Sequence, residues 1–149
     1  MQFVKESFFR APVEALFAFY EQPEAFATLH PPWENVEIVE GPRSLAVGTR
    51  VVLRASVLGP FRVTLEAEHV AYRKNECFED VMRRGPFPHW HHRHIFTAVP
   101  TGSVLRDEVD YTLPFGPLGR LLTPLVEPRL QRMFDYRHTI TRMAVERLG

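Results

Sequence analysis

Residues 90–96 read WHHRHIF, and the spacing of the histidines is the first point at which this chain suggests chemistry. In a strand, His92 and His94 point to one face with Trp90 and Phe96, while His91, Arg93 and Ile95 take the other. Two histidines two residues apart can supply part of a zinc site, with His89, Cys77 or a remote Asp or Glu as third ligand. No HExxH or paired-cysteine motif accompanies them, so no metal and no cofactor is expected. The remaining roles are a polar patch in a cavity wall and a structurally satisfied pair, and the pair is the default.

The segment 107–119, DEVDYTLPFGPLG, carries the second group. Asp107, Val109, Tyr111 and Leu113 share a strand face that Val109 and Leu113 mark as inward, making Asp107 and Tyr111 polar groups of the interior. A buried carboxylate needs partners, which Arg137, His92 and His94 can supply if the fold brings them close. An Asp–His pair with Tyr111 would also suit general acid–base chemistry, such as an aldol-type cyclisation or dehydration. The catalytic candidates are therefore His92, His94, Asp107 and Tyr111, beside a plainer role as a buried network that orients the last helix.

These groups need elements to hold them. Residues 2–10 alternate as an opening strand. Pro12 starts a helix with Val13, Leu16, Phe17 and Tyr20 as its apolar stripe, and a second short helix covers 23–29 until consecutive prolines at 31 and 32 end it. Strand patterns follow at 36–40, 49–58, 61–68, 75–81, 90–99 and 103–113, joined by short Gly/Pro turns including Gly59-Pro60. They are about seven strands, mostly antiparallel. The corner Pro114–Gly119 is expected to turn the chain, with Phe115 anchoring it in apolar packing. A broad apolar stripe at helical spacing then runs to Arg147. Pro124 and Pro128 predict a kinked or two-part helix, regular from Pro128.

The layout is α+β: a curved antiparallel sheet wrapped round a long C-terminal helix, with two short helices after the first strand, in one domain spanning 1–149. Space left between sheet and helix becomes a ligand cavity. Its expected wall is Phe61, Trp90, Phe96, Tyr111, Leu122, Val126, Met133 and Phe134, with His92, His94, Asp107 and Arg137 as polar anchors.

Composition narrows the classes. Lys and Arg together number 18, equal to Asp plus Glu, so neither a disordered chain nor a general nucleic-acid coat is expected. Arginines are offset by acidic residues elsewhere and read as solvated surface. No apolar run approaches ~18 residues, so stable membrane insertion is not expected, and a missing signal pattern favours the cytoplasm. The single cysteine, Cys77, excludes an internal disulfide and reads as a small hydrophobe.

The stretch DEVDYTLPFGPLG, followed by LQRMFDYRH, resembles the SRPBCC or START-like superfamily, the helix-grip proteins, and within it small bacterial ligand-binding domains related to polyketide cyclase/dehydrase proteins. PVEALF at 12–17 and WHHRHIF fit the same pattern. The resemblance covers nearly the whole chain and implies the fold. It does not choose among lipid carriers, aromatic-ligand binders, cyclases, hydrolases and chaperone regulators. The reading is therefore binding of a hydrophobic or aromatic small molecule or lipid by enclosure. A cyclase/dehydrase-type enzyme and a partner-binding regulator with an exposed apolar patch are the alternatives.

Overall fold

The computed structural model describes residues 1–56 and 60–146. The chain order is β1 (Gln2–Phe9), α1 (Val13–Glu21), α2 (Pro23–Thr28), a 3-10 turn (Pro32–Glu34), β2 (Glu37–Glu40), β3 (Arg50–Ala55), β4 (Val63–Arg73), β5 (Cys77–Arg84), β6 (His89–Val99), β7 (Gly102–Thr112), a second 3-10 segment (Gly116–Leu122) and α3 (Thr123–Glu146). The turn expected at Gly59-Pro60 involves residues 57–59, and Arg147 follows α3; these lie outside the described residues.

All seven strands form one antiparallel sheet in the order β1-β7-β6-β5-β4-β3-β2. Short connections make neighbours of successive strands from β2 to β7, and β1 adds to β7 at the far edge. Register shifts in β4, at Glu66/Ala67 and at His69/Ala71, are the kind of irregularity that bends a strand and deepens the concave face. In β7 the alternation is complete: Ser103, Leu105, Asp107, Val109 and Tyr111 are buried while their neighbours are partly exposed.

Helix α3 lies across that face. Leu130, Phe134, His138 and Thr141 are its buried ridge at spacings of three and four. It is a single helix starting at Thr123, which corrects the expected start at Pro128. Pro128 falls inside it, and the two-part character appears instead as the preceding 3-10 segment. Two apolar clusters fill much of the interior. One gathers Phe9, Leu16, Phe17, Phe78, Phe96 and Leu105 under α1; the other gathers Val109, Tyr111, Leu113, Val126, Leu130 and Phe134 under the first half of α3.

The corner departs from expectation in one respect. Phe115 and Gly116 both adopt positive φ, 72° and 55°, a conformation that suits glycine and strains an ordinary side chain. The turn swings Phe115 outward, and it is 69% exposed rather than anchored; Leu118, Leu121 and Leu125 are exposed beside it in sequence.

Candidate functional site

Between the sheet and the first half of α3 lies a cavity of about 510 Å³, within the ~300–1,000 Å³ usual for small-molecule pockets. Leu53, Ala55, Leu65, Ala67 and Met82 form its sheet wall, and Leu125, Val126, Leu130 and Met133 come from α3. Ala25 and Phe26 of α2, and Leu29 just after it, contribute on another side. Most of these side chains are aliphatic, Tyr20, Phe78, Phe87 and Trp90 add rings to the lining, and a space they cannot fill stays open.

The polar groups collect around Asp107, whose side chain is almost wholly buried. His92 Nε2 donates to Asp107 Oδ1 at 2.9 Å, and His138 Nε2 donates to Asp107 Oδ2 at 2.6 Å. His94 Nδ1 lies 2.8 Å from Oδ1, and its Nε2 is 3.5 Å from Asp80 Oδ2. The sheet explains the meeting: Asp107 is opposite His94 across the β6–β7 ladder, and Asp80 is opposite His92 across β5–β6. Ser7 Oγ is 2.8 Å from His138 Nδ1 and supplies the donor that a neutral ring needs there. Deeper still, Thr141 Oγ1 donates to the Arg137 carbonyl, so the Tyr20 hydroxyl donates to Thr141 at 2.8 Å.

Burial opposes charge throughout this cluster, and neighbours decide which groups keep it. Burial pushes the Asp107 carboxyl up, but the His94 charge beside it and the hydrogen bonds from His138 and His92 outweigh it and hold the group well below the ordinary range. Asp80 is lowered in the same way, burial being overcome by the His94 imidazole 3.5 Å away and by the charge of His92 and His69. Burial and the His94 charge lower His92, against the pull of Asp107. His94 goes the other way, because Asp107 and Asp80 overcome its burial. Burial also lowers Arg137 and raises the Tyr20 phenol, which stays neutral. Arg137 lines the cavity, and its Nε has no hydrogen-bond partner among the described residues.

A second polar contact joins α3 to the other rim. Arg129 forms a multidentate pair with the buried Glu34, its Nε 2.9 Å from Oε2, and Arg129 Nη2 donates to the Ser56 carbonyl at 2.9 Å. Both side chains line the cavity.

The anticipated site residues divide. Trp90, His92, His94, Asp107, Val126, Met133 and Arg137 border the cavity, whereas Phe61, Phe96, Tyr111, Leu122 and Phe134 do not. Phe61 precedes the start of β4 and is 78% exposed. Phe96 packs on Phe17 and Tyr20 under α1, with ring centroids 4.9 and 5.5 Å apart. Phe134 and Tyr111 are buried in the cluster under α3, with Leu122 packed against it. The Tyr111 hydroxyl has no hydrogen-bond partner among the described residues, so it makes no hydrogen bond to His92 or Asp107. Cys77 is partly buried and its thiol is raised by burial, while His89 is exposed; neither reaches the cluster.

Three members were not anticipated: Asp80, His69 and His138. Alternation along β5 (Phe78, Asp80, Met82) and β4 (Leu65, Ala67, His69) points the first two inward, and the four-residue step Leu130–Phe134–His138 does the same on α3.

Comparison with known proteins agrees with this architecture. A family model described as polyketide cyclase / dehydrase and lipid transport matches residues 9–136. No curated protein matches the chain. Among solved structures, a protein from Thermus thermophilus is 19% identical, with a TM-score of 0.77 over 100% of this chain and 99% of that one. A protein from Chromobacterium violaceum is 13% identical, with a TM-score of 0.72 over 98% of each chain. A norcoclaurine synthase point mutant from Thalictrum flavum, in complex with a transition-state analogue, is 14% identical, with a TM-score of 0.72 over 100% of this chain and 96% of that one. At these identities the likeness is one of fold. With the family match spanning most of its length, the chain belongs to the polyketide cyclase/dehydrase and lipid transport family and has its helix-grip fold.

Proposed function

We propose that the protein binds a small, mostly apolar or aromatic molecule in the cavity between the sheet and α3, and that His92, His94 and Arg137 hold the molecule's polar end. The observation that carries this reading is the distribution of the lining: aliphatic groups over most of the wall, and polar groups gathered where β5, β6 and α3 meet. Arg137 suits a carboxylate, phenolate or carbonyl, because a guanidinium lowered by burial gains from any acceptor placed against it. No described helix is long and apolar enough to cross a membrane. Native mass spectrometry of gently purified protein tests the reading. A retained molecule that organic extraction releases supports it; wild-type protein that retains none and takes up no member of an apolar and aromatic panel opposes it.

One observation favours a second, enzymatic reading. Asp107 fixes His92 as a donor through Nε2 and leaves Nδ1 free to take a proton. If His92 is a base, the bound molecule exchanges an acidic C–H for deuterium in heavy water with wild-type protein and not with His92→Gln. Equal exchange with both rejects the role.

A further inference from the structure

We propose that Asp80, His92 and His94 form a site for one divalent transition-metal ion of the zinc class, opening onto the cavity. Each residue offers one ligand atom, and the three atoms lie within 4.8 Å of one another. All three side chains border the cavity.

The lone pairs make the case. Asp107 is ionised and can only accept, so His92 donates to it from Nε2, and the lone pair of the neutral ring lies on Nδ1. His94 turns Nδ1 towards the same carboxylate, which leaves Nε2 facing Asp80 Oδ2 across 3.5 Å. With the proton of His94 on Nδ1, its Nε2 lone pair, a carboxylate oxygen of Asp80 and a ring nitrogen of His92 converge within 4.8 Å, an arrangement that a cation relieves. The 3.5 Å separation is close to the ~3.3 Å edge between two ligands each ~2.0–2.1 Å from a tetrahedral zinc ion. Asp107 then takes the place of the outer carboxylate that sets the tautomer of metal-bound histidine. The carboxylates of Asp80 and the buried Asp107 flank the two imidazoles, a setting that favours a cation. Two imidazoles and one carboxylate suit zinc and its first-row neighbours better than magnesium or calcium. Three protein ligands leave a fourth position to the cavity, where a water or the polar end of a bound molecule completes the shell. The competing occupant is a proton held between His94 and Asp80.

Chelator-stripped full-length protein, with no apolar ligand added, is titrated with Zn²⁺ by calorimetry and with Co²⁺ by visible absorption. The site predicts saturable binding of one ion per chain and intense tetrahedral Co²⁺ bands. Asp80→Asn and His94→Gln should each weaken Zn²⁺ by more than about 100-fold, and Asp107→Asn by ~10–100-fold, as the loss of an outer carboxylate does. His89→Gln, at an exposed position, should change nothing. Long-range ¹H–¹⁵N spectra of wild-type protein identify the ligands without a variant: Zn²⁺ should shift His92 Nδ1 and His94 Nε2. The proposal is overturned if no one-to-one binding occurs, if binding survives both Asp80→Asn and His94→Gln, or if the shifts are confined to His30, His89 and His91. None of these outcomes bears on enclosure of an apolar molecule, which is measured separately on metal-free protein.

Discussion

Under α1 the interior is solid, and between α3 and strands β3 and β4 it is open. In the solid region Phe9, Leu16, Phe17 and Leu105 are fully buried, and the Phe17 ring meets Phe96, Tyr72 and Phe78 edge-on at 4.9, 5.8 and 6.2 Å. In the open region β3 and β4 present Leu53, Ala55, Leu65 and Ala67 to α3, and the ring these strands add to the lining is the His69 imidazole, stacked on Phe78. Large rings interlock where the helix must be gripped, and short aliphatics leave room where a guest must fit. Stability and binding should therefore separate by region under substitution.

The largest expected effect is in the solid region. Phe17→Ala should cost ~3–5 kcal/mol in chemical denaturation, while the folded fraction keeps its ligand affinity. At the boundary between the regions, Asp107→Ala should cost about 3 kcal/mol by leaving buried histidines unpaired and should weaken ligand binding as well. The same carboxylate sets an acid limit. Its folded pKa is depressed, so its stabilisation is complete above the unfolded value of ~3.9 and is lost as pH falls through the folded value.

On the cavity side His30 gives a second limb. Burial, then the Arg137 charge, lowers it from 6.5 to about 4. The folded state therefore binds fewer protons than the unfolded chain between these values, and stability falls as pH drops from 6.5 towards 4. Denaturation across this range should lose ~1–3 kcal/mol more in wild type than in His30→Phe; equal slopes would remove His30 as the cause. Ala67→Phe fills the open region and should change stability by less than ~1 kcal/mol, because an existing cavity absorbs the ring that a packed core would resist. Smallest of all, Lys5→Ala breaks a partly exposed pair with Asp135 and should cost under ~0.5 kcal/mol in the same assay.

Period-two alternation made much of the sheet legible, including the inward faces of β6 and β7, but it left the meeting of Asp107 with His92 to the strand register. It also places Asp80 and His69 inward, yet one polar residue among Phe78, Met82, Leu65 and Ala67 is easily absorbed into an apolar reading. His138 hides in the same way on the ridge of α3. What alternation does not contain is the position of α1 over the sheet. That distant contact makes Phe96 a packing residue and leaves its strand neighbour His94 on the cavity, although both point to one face. Phe134 and Tyr111 are withdrawn into the core by the path of α3, and Phe115 is turned outward by a backbone angle that its residue type does not announce.

Whether the open region takes up a guest can be read from a single titration. Titration of wild-type protein and of Ala67→Phe with 1-anilinonaphthalene-8-sulfonate, an aromatic anion matched to an apolar cavity beside Arg137, tests it most directly. A binding site there gives saturable one-to-one binding to wild type, at least about 10-fold weaker binding to Ala67→Phe as the space is filled, and an unchanged affinity in Phe61→Ala. Equal affinity in wild type and Ala67→Phe would contradict it.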